Sequence, residues 1–134
     1  MNEQFGKEYK LCSKKIIYQL FETGKRLHSF PYTVTYDFVD LPANAAPFQV
    51  VISAPKRQFK HANKRNHIKR LMRECIRKNK HVLEDFLALE SNKSKQLALF
   101  IVYRHHEELD FETLMRKTSK LFVTLTTTIQ QNEK

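Results

Sequence analysis

Two cysteines in 134 residues, Cys12 and Cys75, are too few and too far apart for a disulfide framework or a Cys-x-x-Cys metal site. A reducing compartment suits both as thiols, and Cys75, which falls on an apolar helical stripe, reads as a small buried hydrophobe. No apolar run approaches the roughly 18 residues of a membrane span, and Met1 to Lys10 holds no apolar stretch that could serve as a signal sequence. A cytoplasmic protein with no membrane partner is expected. Acidic residues are scarce in one place only. Between Lys56 and Lys80 there are eleven Lys/Arg residues and one acid, Glu74, while the rest of the chain holds 13 bases and 13 acids. The whole net charge of +10 therefore belongs to one short segment. Solvated surfaces normally mix both signs, so this segment implies a polyanionic partner.

The length fits one domain, residues 1–134, with residues 1–9 and 130–134 expected as loosely ordered ends; there is no internal repeat. Leu11 to Phe21 has helical apolar spacing, with Ser13 placed to cap and Gly24 to stop it. Tyr32 to Phe38 alternates with period two, which predicts a strand with one covered face. Leu41 to Pro47, with two prolines, predicts a hairpin loop, and Phe48 to Ala54 a second strand ended by Pro55. Ile68, Leu71, Met72, Cys75 and Ile76 then follow helical spacing, a long helix running to about Val82. Gln96 to Tyr103 is apolar on both faces and reads as an interior strand. Phe111 to Leu125 closes the chain as a helix, and a short extra strand fits near Arg26 to Phe30. The fold class is α+β, a two-layer sandwich in the order α-β-β-(β)-α-β-α.

At about 100° per residue, Asn66, Lys69, Arg70, Arg73, Arg77 and Lys80 fall within about a third of the helix circumference, opposite Ile68 and Cys75. Over roughly 27 Å such a face tracks several phosphates. Arginine grips a phosphate with two donors where lysine acts as a point charge. Lys56, Arg57 and Lys60 extend the patch into the preceding loop. Lys64 and Arg65 fill the first turn, where backbone N–H groups favour anions. Nucleic acid is the natural partner; a membrane surface fits less well because the opposite helix face is committed to the core.

The run Lys64-Arg65-Asn66-His67-Ile68-Lys69-Arg70-Leu71-Met72-Arg73-Glu74 resembles the signature helix of the bacterial ribonuclease P protein component family. That pattern is Arg-Asn-Arg, one residue, Lys-Arg, two residues, Arg-Glu. Lys56-Arg57 and Ala62 before it, Leu11, Ser13-Lys14, Phe21 and Gly24 near the start, and Arg104 also match. The resemblance implies an α+β sandwich with a left-handed βαβ crossover, against the usual right-handed rule. It implies a protein that binds a catalytic RNA and promotes removal of the 5′ leader from precursor tRNA. The RNA carries the hydrolysis with Mg²⁺, and the protein alone binds no cofactor. Partners are then the catalytic RNA and precursor tRNA, not DNA. Carried over by position, the RNA contacts are Lys56, Arg57, Lys60, Lys64, Arg65, Asn66, His67, Lys69, Arg70 and Arg73. The leader cleft would comprise Ile17, Phe21, Tyr36 and Ser53; for Phe21 and Tyr36 ordinary core is the alternative.

Three departures stand out. His67 replaces the second arginine of Arg-Asn-Arg, Ile17 replaces a common phenylalanine, and Gln58-Phe59-Lys60 lacks the glycine often found before the helix. Other readings remain. An autonomous nuclease would need His105-His106-Glu107-Glu108-Asp110 to converge, although these residues read as a polar loop. A helix-turn-helix would need a helix, not Pro55 and a strand, before the basic helix. A ribosomal or other structural RNA-binding protein is the non-enzymatic alternative.

Overall fold

The computed structural model describes residues 9–40, 46–89 and 95–132. Its first helix, α1 (Lys14–Thr23), starts where the Ser13 hydroxyl accepts the Ile16 N–H at 3.3 Å, satisfying one of the donors a helix start leaves free. It stops at Gly24, whose N–H bonds the Leu20 carbonyl at 3.0 Å. Glycine is required there by close approach, because a Cβ would lie 2.4 Å from the Leu20 oxygen and 2.8 Å from Thr35 Cγ2. The backbone φ of −69° suits any residue.

Strands β1 (Lys25–Ser29) and β2 (Tyr32–Asp40) form an antiparallel hairpin, so the short extra strand expected near Arg26 is present. After β3 (Phe48–Ser53) and the long α2 (Ala62–Leu89), β4 (Lys95–Tyr103) enters the sheet between β2 and β3. It pairs antiparallel with β2 along Tyr32↔Tyr103 to Asp40↔Lys95 and parallel with β3 along Phe48↔Leu97 to Ser53↔Val102. The sheet order β1-β2-β4-β3 makes β3-α2-β4 a parallel crossover unit. It also corrects the hairpin expected between β2 and β3, whose loop residues 41–45 lie outside the described residues. The physical reason is burial: β4 is apolar on both faces and gains most from the central position.

One face of the sheet carries Tyr32, Val34 and Tyr36, Phe48 and Val50, and Leu97, Leu99, Ile101 and Tyr103. On it lie Ile68, Met72, Cys75, Ile76 and Leu83 of α2 and Leu114, Leu121, Phe122, Leu125 and Ile129 of α3 (Phe111–Asn132). Burial pushes the Cys75 thiol up to about 11, which keeps it protonated as a core side chain. The opposite face holds a smaller cluster, in which Leu11 and Leu20 cover Val39 and Ala98 with Ile16, Ile17, Val51 and Phe100 at the edge. With α1 on this side, all of Tyr32 to Tyr36 is buried, and the expectation of a single covered face for β2 is corrected.

Both long helices outrun their expected ends because the apolar spacing continues, through Leu83 and Leu87 in α2 and Ile129 in α3. Inside α3 the hydroxyls of Thr126, Thr127 and Thr128 donate back to helix carbonyls at 2.8–2.9 Å. Of the ends expected to be loose, residues 130–132 are helical, and residues 1–8 and 133–134 lie outside the described residues. Tyr9 is buried against Phe48 and donates to Glu84 at 3.1 Å.

Candidate nucleic-acid interface

The apolar stripe of α2 fixes the rotation of the helix, and rotation decides which cations face water. With Ile68, Met72 and Cys75 fully buried, Asn66, Arg70 and Arg73 are exposed on the far side and Lys69 is half-buried beside them. Lys69, Arg70 and Arg73 have no ion-pair partner among the described residues, and neither do Lys56, Arg57 and Lys60 in the loop before the helix. Unpaired like charges on one ridge repel one another, and an anionic ligand relieves that repulsion.

The loop that extends the ridge is anchored from below. Phe59 is buried against Tyr103, with ring centroids 5.8 Å apart, and the Gln58 and Phe59 N–H groups bond the Pro55 carbonyl at 3.1 and 3.3 Å. This turn forms without the glycine that the resemblance led one to expect. Arg65 Nη1 donates to the carbonyls of Phe59 and Lys60 at 3.0 and 2.8 Å. Arg65 thus ties the loop backbone at Phe59 and Lys60 to the first turn of α2.

At the helix start, Lys64 and His67 both face the Glu108 carboxylate, at 3.4 and 2.7 Å. Further along, two residues leave the expected ridge. Arg77 grips Glu74 through Nε at 3.1 Å and through Nη2, which holds the Glu74 carboxyl below the usual range. Lys80 is buried, its ammonium 4.6 Å from the Tyr9 ring centroid and 3.9 Å from Glu84. A regular helix puts residue 80 near the cationic face, but the amino-terminal segment, held to β3 by the Leu11 N–H to Val50 carbonyl bond (3.0 Å), covers it.

A second feature lies beside α1. A groove of about 230 Å³ is lined by Phe21, Arg26, Thr33, Thr35, Ser53, Pro55, Phe100, Val102 and Arg104. Phe21 is 56% exposed, with its ring centroid 5.1 Å from that of Phe100. Its volume is below the about 300–1,000 Å³ of pockets that enclose drug-sized ligands. Aromatic faces with arginines at the rim are what single-stranded nucleic acid stacks on and pairs with. Phe21 and Ser53 are therefore brought together as expected. Ile17 is half-buried in the small α1 cluster and lies outside the lining. Tyr36 is corrected: period-two alternation puts it with Tyr32 and Val34 on the opposite face, 4% exposed beneath α2 and α3. Phe100, Thr33, Thr35 and Arg26 belong to the groove and were not anticipated. The parity of β4 was their available signal, since Phe100 faces away from Leu97, Leu99 and Ile101.

The acids of the β4–α3 loop are dispersed. Glu108 faces α2, Glu107 pairs with His106 at 3.4 Å, and the Asp110 carboxylate accepts the Thr113 N–H at 2.8 Å to cap α3, which holds it below the usual range. Among the described residues no three His, Cys, Asp or Glu side chains converge as a metal site, and no helix is long and apolar enough to cross a membrane.

A sequence profile described as Ribonuclease P matches residues 5–126. The chain belongs to the ribonuclease P protein family. The ribonuclease P protein component of Porphyromonas gingivalis is 34% identical over 119 residues, covering 88% of this chain and 83% of the relative. That of Borrelia turicatae is 29% identical over 99 residues, covering 74% and 75%. The ribonuclease P protein of Thermotoga maritima has a similar fold, with a TM-score of 0.62 at 22% identity over 84% of this chain and 94% of that one. The Staphylococcus aureus ribonuclease P protein gives 0.60 at 14% identity over 87% and 94%. The match to the family spans both features, ridge and groove, in one continuous stretch.

Proposed function

We propose that the chain acts in tRNA 5′ processing as the protein subunit of ribonuclease P, docking its ridge on the catalytic RNA and holding the single-stranded 5′ leader of precursor tRNA in its groove. Family membership supports the subunit role. The observation that carries the division of labour is the row of half-buried Lys69 and exposed Arg70 and Arg73, without an ion-pair partner among the described residues, on a helix whose other face is locked into the core. In this reading the RNA performs the hydrolysis and holds the Mg²⁺; the carboxylates of the β4–α3 loop are already used as a helix cap and as ion-pair partners. The chain's own residues then bind and orient. Arg70 and Arg73 engage phosphates, the loop of Lys56, Arg57 and Lys60 adds charge next to the groove, and Phe21 with Phe100 offers a stacking surface. The cytoplasm is the compartment this role requires.

Reconstitution tests the proposal. The purified chain, mixed with the catalytic RNA and precursor tRNA at low Mg²⁺, is expected to restore leader removal. Equal cleavage with and without the chain sinks it. Co-sedimentation with ribosomal subunits and no effect on cleavage would instead support a structural RNA-binding role, and cleavage without the RNA an autonomous nuclease.

A further inference from the structure

The contact between the β4–α3 loop and the first turns of α2 has the wrong sign for a surface built only to bind RNA. Tyr103, fully buried, donates its hydroxyl to the Glu107 carbonyl at 2.7 Å and accepts the Leu109 N–H at 3.2 Å. One side chain thereby pins the backbone on both sides of Glu108. The Glu108 carboxylate is held against the ridge, where Oε1 lies 2.7 Å from His67 Nε2 and Oε2 lies 3.4 Å from Lys64 Nζ. Lys64 and His67 are half exposed, so a phosphate arriving from solvent reaches the same two groups. The next turns carry Lys69, Arg70 and Arg73 with no carboxylate partner among the described residues. The ridge is thus divided into an end covered by an internal anion and a stretch left open.

We infer that Glu108 is an internal stand-in for an RNA phosphate, competing for Lys64 and His67 and lowering the affinity of the ridge for polyanions. The inference rests on the proposed RNA-binding role of the ridge and adds a regulator to it. Exposed ion pairs are weak, so an incoming phosphate can replace this carboxylate. The exchange trades one anion for another, and the gain at this end is small unless the rest of the ridge is engaged. Binding driven by charge alone is what such a competitor suppresses, because non-specific association comes almost wholly from phosphate neutralisation.

The test compares Glu108→Gln with Glu107→Gln in the full chain. Both remove one negative charge from the same loop, but among the described residues the ion-pair partner of Glu107 is the exposed His106 rather than a residue of α2. Binding to the catalytic RNA of ribonuclease P and to a random-sequence RNA duplex is measured across a salt series, with thermal unfolding as the check on folding. Glu108→Gln is expected to tighten both complexes several-fold and to steepen the log–log salt slope by roughly 0.7–0.9, one recovered phosphate contact. Glu107→Gln is expected to leave the slope unchanged. The inference is overturned if the two variants behave alike, or if Glu108→Gln binds more weakly than the natural chain, which would make Glu108 a group that positions Lys64 and His67 for RNA. Arg70→Ala serves as a separate control. Its binding as tightly as the natural chain would remove the ridge reading, while the Glu108 and Glu107 pair still decides the competitor.

Discussion

Arg70 stands exposed on α2 with no partner of its own among the described residues, whereas Lys80, ten positions along the same helix, is buried beneath Tyr9. Their substitutions should separate. Arg70→Ala is expected to weaken assembly with the catalytic RNA and to flatten the log–log salt slope by about 0.7–0.9. Lys80→Met is expected to leave that slope unchanged, because the ammonium it removes does not reach solvent; filter binding over a salt series measures both. The two aromatic candidates divide in the same way. Phe21→Ala should reduce affinity for long-leader precursors over leaderless tRNA by about 1–3 kcal/mol, the worth of one stacked base. Tyr36→Ala should lower the unfolding free energy by about 3–5 kcal/mol, as for other large core truncations, and treat the two RNAs alike. A long-leader defect in folded Tyr36→Ala would contradict the strand parity that places it in the core. Both aromatics fit the leader cleft by position, and what tells them apart is that Tyr36 is buried on the far face of β2 while Phe21 is exposed on α1.

At the scale of elements, the ends of α1 were legible because capping chemistry is local. Ser13 and Gly24 bound α1 as the sequence indicates, and Gly24→Ala tests the reason for the glycine. Its Cβ would meet backbone that cannot give way, so a loss of about 1–3 kcal/mol in the denaturant midpoint analysis is expected, from overpacking alone. Asp110 caps α3 in the same local way. Its carboxyl is held low by Thr113, so the ionised form is the one that stabilises the fold. That contribution is present above the ordinary aspartate range and is lost as pH falls through the depressed value. The stability difference between the natural chain and Asp110→Ala should therefore be found at neutral pH and shrink in acid; a difference that grows in acid would show the opposite linkage. Strand order was not legible, since adjacency in the chain suggested a β2–β3 hairpin and the sheet places β4 between them.

Across the whole molecule, one helix serves as both core and interface, and its charge is read against everything folded around it. The amino-acid order alone determined that the surplus of +10 lies in one segment and that this segment carries a helix with an apolar underside. These follow from periodicity, which acts over a few residues. Only the tertiary structure decided which cations remain available. The amino-terminal segment covers Lys80, a distant loop brings Glu108 to Lys64 and His67, and the sheet turns Tyr36 inward while raising Phe100 beside Phe21. Each depends on partners far apart in the chain, and local spacing carries no information about charges and faces that meet only when the sheet closes.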